Sequence, residues 1–326
     1  MAVIGIDLGT TNSLAGVWQD GKVVLIPNAF GEYLTPSVVS IGKNQEVFVG
    51  SVAKRNACNT SRMIRSVNLK EYGHKFSVRK RQKKYRAEEL SAFVLRRLKE
   101  DAEKFLGEEV TEAVISVPAY FDDNKRNATK NAGRLAGLKV ERLINEPSAV
   151  ALKHHTAEKG AESFIVFDFG GGTLDVSLVE AFDNVVEIQA VAGDNYLGGK
   201  DFNEIIAQDF YEQNQISEAY LTKNEQENVL KEAEAVKKEL TDKNEAERQV
   251  YIKGEAYTLK MTNQRLIHHF SGAVFKNGKT NRKGHQYGGN RIRGTRQSHI
   301  GRWIVLKCPW YSSILKDCLA TKCLWY

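Results

Sequence analysis

Two segments of the sequence each join an aspartate to a turn rich in glycine and threonine. The first reads Ile4-Gly-Ile-Asp-Leu-Gly-Thr-Thr-Asn12, and the second reads Ile165-Val-Phe-Asp-Phe-Gly-Gly-Gly-Thr173. In both copies the aspartate, Asp7 or Asp168, closes an apolar run and precedes the first glycine by two residues. Turns of this composition expose several backbone N–H groups together, and glycine lets a phosphate approach the chain closely. The repeat therefore predicts two loops that could grip a polyphosphate from both sides.

Carboxylates at the ends of these two apolar runs are suited to a magnesium ion. Mg²⁺ gives up its water reluctantly, so Asp7 and Asp168 are expected to hold it through water molecules. One glycine-rich turn by itself is more often an ordinary hairpin turn, and the phosphate hypothesis depends on the matching second copy. The sequence has neither a G-x-x-x-x-G-K-[ST] loop nor a strand-G-x-G-x-x-G-helix pattern. Neither a P-loop nor a Rossmann dinucleotide site is therefore predicted.

The elements that position these turns follow from hydrophobic periodicity and from turn residues. Strands are predicted at 3–6, 13–18, 22–26 and 114–117, with Asp20-Gly21 as the hairpin turn between the second and the third. Amphipathic helices are predicted at 87–105, 124–136 and 224–240, and Gly107 is expected to cap the first of them. Alternating strands and helices of this kind indicate the α/β class.

The composition is that of a globular protein of roughly two domains, by the usual ~150 residues per domain. The chain has 326 residues, of which 42% are hydrophobic and 27% are charged. No stretch approaches the ~18 uninterrupted apolar residues of a membrane helix, and the first residues are typical of a β-strand rather than of a signal peptide. The four cysteines have no paired CxxC spacing. We therefore expect no disulfide scaffold, no zinc site and a cytoplasmic protein.

Three further segments extend the pattern that begins with the two turns. They read Ser116-Val-Pro-Ala-Tyr-Phe-Asp122, Ile144-Asn-Glu-Pro-Ser-Ala149 and Gly193-Asp-Asn-Tyr-Leu-Gly-Gly-Lys-Asp-Phe202. Together the five segments resemble the nucleotide-binding domain of the seventy-kilodalton heat-shock chaperones of the DnaK type, over residues 1–266. The short segment between Ala53 and Lys84 resembles a compact, divergent bacterial subfamily more than the housekeeping member.

The resemblance implies an actin-like ATPase fold built from duplicated ribonuclease H-like subdomains. On this basis the first lobe is expected at 1–160 and a second, incomplete lobe at 161–266. Residues 267–326 are expected to be a basic tail that does not belong to the family.

The resemblance also implies a set of ATP-binding residues by position. The phosphate ligands would be the residues of both turns, Gly9, Thr10, Thr11, Asn12, Gly170, Gly171, Gly172 and Thr173. Mg²⁺ and the attacking water would be ordered by three carboxylates, Asp7, Glu146 and Asp168, and Thr173 and Arg65 would complete the catalytic set. Gly198 and Gly199 would lie near the ribose and the phosphates. The adenosine side would be bound by residues of one helix, Glu234, Lys237, Lys238 and Thr241. A switch pair that reports the nucleotide state to a neighbouring domain would be Pro118 and Arg126.

The helix carrying four of these residues has a second interpretation. Glu234, Lys237, Lys238 and Thr241 share one face by their spacing of three, four and seven residues. A charged helix of this kind, taken alone, is more often a solvated surface.

The composition changes sharply near residue 267. From Ile267 onward the chain has eleven Lys or Arg residues and one acid, Asp317, whereas the first 266 residues carry a net charge of −3. Such a segment could bind nucleic acid through phosphates, with Tyr287 and Trp303 as stacking groups. Alternatively, the segment is translated out of frame. Codons that encode Ile300–Val305 can, when read one base later, encode Leu-Val-Gly-Gly-Ser. In the family, this sequence forms the turn over the adenine. The second explanation is favoured, so a disordered or aggregation-prone tail is expected and nucleic-acid binding is not.

The resemblance therefore implies an ATP-binding, ATP-hydrolysing domain of a molecular chaperone, in a truncated and impaired copy. Unfolded polypeptides and a J-type co-chaperone are the partners expected for the family, although the sequence has no counterpart of the peptide-binding domain. The alternatives are a nucleic-acid-binding protein that uses the basic tail and a non-chaperone member of the fold, such as a sugar kinase or an actin-like filament protein. The sequence contains no sugar-site motif that would favour a sugar kinase.

One substitution within the family pattern generates a prediction. Thr60-Ser-Arg-Met-Ile-Arg65 aligns so that Arg65 replaces the family's catalytic lysine, although an ordinary surface arginine would also explain it. A planar guanidinium cannot place a compact charge against the γ-phosphate as an ammonium does. We expect Arg65→Lys to hydrolyse ATP faster than the parent chain, with ATP affinity less affected, in an assay of phosphate release. An unchanged rate would contradict this assignment.

Overall fold

The computed structural model describes residues 2–42, 46–59, 64–66, 77–80, 83–154, 160–183, 185–194, 197–270 and 302–306. Apart from the short strand at 302–306, these residues form two compact units. The first unit contains the described residues of Met1–Val166 and Val176–Val191, and the second contains those of Phe167–Asp175 and Ala192–Arg293. Within the described ranges, no helix combines the length and the apolar composition needed to cross a membrane.

The strands are β1 (Ala2–Leu8), β2 (Asn12–Gln19), β3 (Lys22–Ile26), β4 (Thr35–Pro36), β5 (Val38–Ile41), β6 (Val47–Val49), β7 (Ile64–Ser66), β8 (Ser77–Lys80), β9 (Lys83–Arg86), β10 (Val110–Val117), β11 (Lys139–Asn145), β12 (Glu162–Phe169), β13 (Leu174–Phe182), β14 (Val185–Asp194), β15 (Glu245–Ile252), β16 (Glu255–Thr262) and β17 (Arg302–Leu306). The helices are α1 (Ser51–Asn59), α2 (Ala87–Leu106), α3 (Asp123–Leu135), α4 (Glu146–His154), α5 (Gly199–Gln213) and α6 (Lys223–Glu239). Residues 263–270 are also helical.

A six-stranded sheet is the framework of the first unit. Its strand order is β11-β10-β1-β2-β3, with β4 paired to β2. β1, β10 and β11 run parallel, and their register places Asp7 opposite Ser116 and Ser116 opposite Ile144. Because parallel strands end at the same edge of a sheet, the residues that follow these three strands lie along one edge.

The core of the first unit lies between this sheet and the helices α2 and α3. Alternate residues of β1, namely Ile4, Ile6 and Leu8, are buried together with apolar residues of β10, α2 and α3. Period-two burial along the strand and period-3.6 burial along the helices produce one continuous core. The strands and helices predicted for this part of the sequence are confirmed.

The predicted turn residues also have the expected backbone. Asp20 and Gly21 have φ values of 52° and 75°, as a type I′ hairpin turn requires. Gly107 ends α2 with a φ of 70°, and its N–H donates to the carbonyl of Glu103. All three residues occupy left-handed conformations that few side chains tolerate.

The second unit packs α5 and α6 against the hairpin β15–β16. Thr222 caps α6, because its hydroxyl accepts a hydrogen bond from the N–H of Glu225 while the carboxylate of Glu225 accepts one from the N–H of Thr222. This reciprocal cap fixes the start of the predicted amphipathic helix. A four-stranded sheet of order β14-β13-β12-β17 has most of its residues in the first unit.

A buried carboxylate ties the helical residues 263–270 to α5. The side chain of Asp209 is 1% exposed; it forms an ion pair with Arg265 at 2.7 Å, and the Nε2 atom of His269 lies 2.9 Å from its Oδ1 atom. Phe270 stacks on Phe202 with ring centroids 4.2 Å apart. The start of the predicted tail therefore packs on the second unit, and β17 is its other described part. Residues 271–301 and 307–326 lie outside the described residues, so the expected disorder of the tail stays a prediction.

The Asp209 cluster predicts a large loss of stability from a small change. Asp209→Asn keeps the size of the side chain but removes the charge that pairs with Arg265 and that His269 also faces. We expect the free energy of unfolding in urea to fall by about 2–3 kcal/mol. Glu245→Gln is the matched control, because Glu245 makes an exposed pair with Lys260 at 2.7 Å and should matter much less. Equal losses for both variants would contradict the prediction.

Candidate functional site

The first glycine turn connects β1 to β2 and is held in a tight conformation. A Cβ atom at Gly9 would lie 2.3 Å from the carbonyl oxygen of Asn12, so a larger residue would force the turn apart. The N–H of Ser37 donates to the carbonyl of Thr11 at 2.9 Å. The hydroxyl of Thr11 is buried and has no hydrogen-bond partner among the described residues. A buried hydroxyl without a partner is costly unless a ligand completes its bonding.

Asp7 lies near the carboxyl end of β1, where it is half-buried. Ser116, its neighbour on β10, donates a hydrogen bond to its Oδ1 atom over 3.3 Å. Pro118 follows β10 directly, and Glu146 follows β11 as the first residue of α4. Three of the predicted site residues are therefore at the carboxyl ends of three adjacent parallel strands, the edge at which open α/β sheets bind ligands.

Arg126 on α3 links two of these strand ends. Its Nε atom donates to the carbonyl of Phe121 at 2.9 Å, and its Nη2 atom donates to the side chain of Asn145 at 2.6 Å. The N–H of Phe121 in turn donates to the carbonyl of Pro118 at 3.1 Å. The predicted pair Pro118 and Arg126 is thus joined through one backbone turn, and Arg126 connects that turn to the residue before Glu146.

The second glycine turn, at 170–173, belongs to the second unit and is held by the start of α5. The N–H of Gly199 donates to the carbonyl of Gly170, and the N–H of Lys200 donates to the carbonyl of Gly171, both at 2.9 Å. A Cβ atom at Gly198 would lie 2.3 Å from the backbone nitrogen of Gly172. The structure therefore places Gly198 and Gly199 directly against this turn, and only glycine allows the two backbones to approach so closely.

The electrostatics at the start of α5 are set by acidic residues. The side chain of Asp201 accepts a hydrogen bond from the N–H of Gly198 at 2.7 Å. One turn further on, burial raises the pKa of Glu204, and the charges of Asp201 and Glu218 raise it further. Both carboxyl groups lie in the first turns of the helix, the end at which its dipole favours negative charge.

The four predicted residues at the end of α6 make different contacts in the structure. The Nζ atom of Lys237 donates to the carbonyl of Gly199 at 2.6 Å, so it reaches the start of α5. Lys238 pairs instead with Glu234 on its own helix, at 2.8 Å, and its side chain is 67% exposed. Thr241 follows α6, and its N–H donates to the carbonyl of Lys238. Lys237 therefore contacts the elements around the second turn.

The role of every site residue stays a prediction, including the roles of Arg65 and Asp168. Arg65 has its backbone in β7, opposite Val39 of β5, and its side chain lies outside the described structure. Asp168 is the penultimate residue of β12, in the position that Asp7 has in β1. In the part of the chain that the structure describes, no group of three or more His, Cys, Asp or Glu residues is arranged to hold a metal ion.

The sequence analysis missed three residues that support the site. They are Ser37, Ser116 and Asn145. Ser116 could have been found by assuming parallel pairing of β1 with β10, because that register places it opposite Asp7. No local sequence pattern indicates Ser37, because the carbonyl groups to which it donates lie 26 to 28 positions earlier in the chain.

A comparison with protein-family models gives one match, to the Hsp70 protein family, over residues 3–83 and 63–271. The matched residues include both glycine turns, the ends of β10 and β11, the start of α5 and the end of α6. The chain belongs to the Hsp70 family. It therefore contains a chaperone-type ATP-binding domain, and the mixed α/β architecture agrees with the actin-like ATPase fold of that family. ATP, generally with Mg²⁺, is the ligand of the family.

The contact between Gly198 and the second turn predicts a specific sensitivity to substitution. In Gly198→Ala the new methyl group would meet backbone atoms of Gly172, which cannot move without displacing the start of α5. We expect the free energy of unfolding to fall by about 1–3 kcal/mol. Gly172→Ala is the control within the same turn, because a Cβ atom there meets nothing within 4 Å. Urea denaturation that ranks the two variants equally would refute the assignment.

Proposed function

We propose that this chain binds Mg-ATP through both glycine turns and hydrolyses it to ADP and phosphate, as a nucleotide-binding domain of the DnaK type. The observation that carries this proposal is shared by the two turns. In each, two carbonyl groups accept hydrogen bonds from a neighbouring element: from Ser37 in the first turn, and from the start of α5 in the second. Because N–H and C=O point in opposite directions across a trans peptide, the N–H groups that follow these carbonyls face away from that support. N–H groups presented together favour an anion.

The residues near the first turn fit a nucleotide phosphate and its magnesium ion. The unpartnered hydroxyl of Thr11 is a donor for which no acceptor is found among the described residues. Asp7 is kept in one orientation by Ser116 and would hold Mg²⁺ through water, with Asp168 as the corresponding carboxylate of the second turn. Bound Mg²⁺ would neutralise charge on the transferred phosphate. Glu146, at the end of β11, would orient the attacking water.

The residues near the second turn are proposed to bind the other phosphate oxygens and the adenosine part of the nucleotide. Thr173 ends the turn, and its carbonyl accepts a hydrogen bond from the N–H of Gly170 at 2.8 Å. Lys237 would act on the adenosine side, because its contact with Gly199 holds it at the elements that support the turn. Glu234 and Lys238 pair with each other on the same helix at 2.8 Å, and we propose both for the adenosine side as well.

We also propose that the chain has chaperone activity controlled by the nucleotide bound at this site. In the family, the ATP-binding domain acts with unfolded polypeptides and co-chaperones, and we propose a J-type co-chaperone here. Arg126 joins the end of β11, next to Glu146, to the turn after Pro118. A movement of Glu146 with the nucleotide state would therefore be passed to Pro118, in agreement with a switch role for this pair.

The change of composition near residue 267 supports an out-of-frame tail as part of this proposal. Resequencing the gene across codons 260–326 tests it. One or two inserted or deleted bases that restore Leu-Val-Gly-Gly-Ser would support the proposal, and an unchanged frame would overturn it.

The ATPase proposal predicts a specific effect of neutralising Asp7. Asp7→Asn can still accept the hydrogen bond from Ser116, but it loses the charge that would hold Mg²⁺. We expect the rate of phosphate release from Mg-ATP to fall by about tenfold or more. Asp20→Asn is the matched control, because Asp20 is an exposed hairpin residue with a φ of 52°, which asparagine also adopts.

The parent chain and the control are expected to bind Mg-ATP and to hydrolyse it at the same rate. If titration calorimetry detects no binding of Mg-ATP by the parent chain, the proposed function is wrong. If Asp7→Asn hydrolyses ATP at the parental rate, the role of Asp7 is wrong.

A further inference from the structure

Ser37 lies between β4 and β5 and is 0% exposed. Its backbone N–H donates to the carbonyl of Thr11 at 2.9 Å, and its hydroxyl donates to the carbonyl of Gly9 at 2.6 Å. One buried residue therefore binds two carbonyl groups of the first turn. Both bonds come from a residue that lies 26 to 28 positions further along the chain than the carbonyl groups. Neither bond therefore follows from the local conformation of the turn.

A second buried serine fixes the direction of the hydroxyl bond. The hydroxyl oxygens of Ser13 and Ser37 lie 2.8 Å apart, and Ser13 is also 0% exposed. A carbonyl can only accept, so the single hydroxyl proton of Ser37 is committed to Gly9. The hydroxyl of Ser13 must therefore donate to Ser37. The chain Ser13 to Ser37 to Gly9 has one possible direction, and each hydroxyl in it is used.

This arrangement determines which way the turn presents its N–H groups. The carbonyl of Gly9 and the N–H of Thr10 belong to one planar peptide and point in opposite directions. The same holds for the carbonyl of Thr11 and the N–H of Asn12. Because both carbonyls point at Ser37, the two N–H groups are directed to the opposite side of the turn, where a phosphate would bind.

We propose that Ser37 is a positioning residue for phosphate binding, acting through the first turn rather than by touching the nucleotide. This inference depends on the proposed function, since it assigns the role of Ser37 at the same site. Without the hydroxyl, the carbonyl of Gly9 loses its buried donor and the peptide between residues 9 and 10 can rotate. The turn then no longer holds both N–H groups towards the phosphates, and the part of nucleotide affinity that comes from phosphate is lost.

The test compares Ser37→Ala with Ser40→Ala in the full chain. Ser40 is the matched control, because it is also 0% exposed and its hydroxyl is buried without a hydrogen-bond partner among the described residues. Affinities for Mg-ADP and for adenosine are measured by calorimetry, and folding is checked by circular dichroism. The ratio of the two dissociation constants isolates the contribution of the phosphates.

We expect Ser37→Ala to raise the dissociation constant for Mg-ADP by about tenfold, with the constant for adenosine changed by less than about twofold. Ser40→Ala should leave both constants unchanged. If folded Ser37→Ala weakens adenosine and Mg-ADP to the same extent, the inference is overturned. If the parent chain binds Mg-ADP and folded Ser37→Ala binds it equally well, the inference alone is wrong. If the parent chain binds no Mg-ADP, the proposed function is wrong as well.

Ser13→Ala keeps the test decisive if Ser37→Ala does not fold. It leaves the bond from Ser37 to Gly9 in place but removes the donor to the hydroxyl oxygen of Ser37. A smaller loss in the same direction, about threefold for Mg-ADP and none for adenosine, is expected. An unchanged affinity for Mg-ADP in that variant would overturn the inference.

Discussion

A backbone carbonyl that is turned into the protein must meet a donor there, and both glycine turns are built around that requirement. In the first turn the donors come from the N–H and the hydroxyl of Ser37. In the second they are the N–H groups of Gly199 and Lys200, at the start of α5. The supporting elements differ, but the result is the same: the carbonyls are held on one side, and the N–H groups that follow them face the other.

The close support of the turns explains where glycine is needed. At Gly9 and at Gly198 a Cβ atom would lie 2.3 Å from backbone atoms, whereas at Gly172 it would meet nothing within 4 Å. Glycine in these segments therefore has two different uses. At the first two positions it lets the turn contact its support, and at Gly172 it leaves space that none of the described residues fills.

The parallel register of β1, β10 and β11 places chemistry at one edge of the first sheet. Asp7 is oriented by a neighbour on the next strand, and Arg126 joins the ends of the other two strands through Phe121 and Asn145. Under the proposed function, the carboxylate that holds Mg²⁺ and the switch pair would lie along this one edge. The rigid sheet supplies the positions, and a few side-chain hydrogen bonds supply the coupling.

The sequence by itself determined the features whose physical cause is local. The α/β class, the hairpin at Asp20-Gly21, the helix ended by Gly107 and the paired glycine turns all depend on residues within a few positions of one another. Only the tertiary structure decided that Ser37 supports the first turn, that Lys237 and not Lys238 reaches the start of α5, and that Asp209 binds Arg265 and His269. The partners in these contacts are separated by tens of residues. They meet because strand register and helix packing bring them together, and neither register nor packing can be deduced from the spacing of residues along one chain.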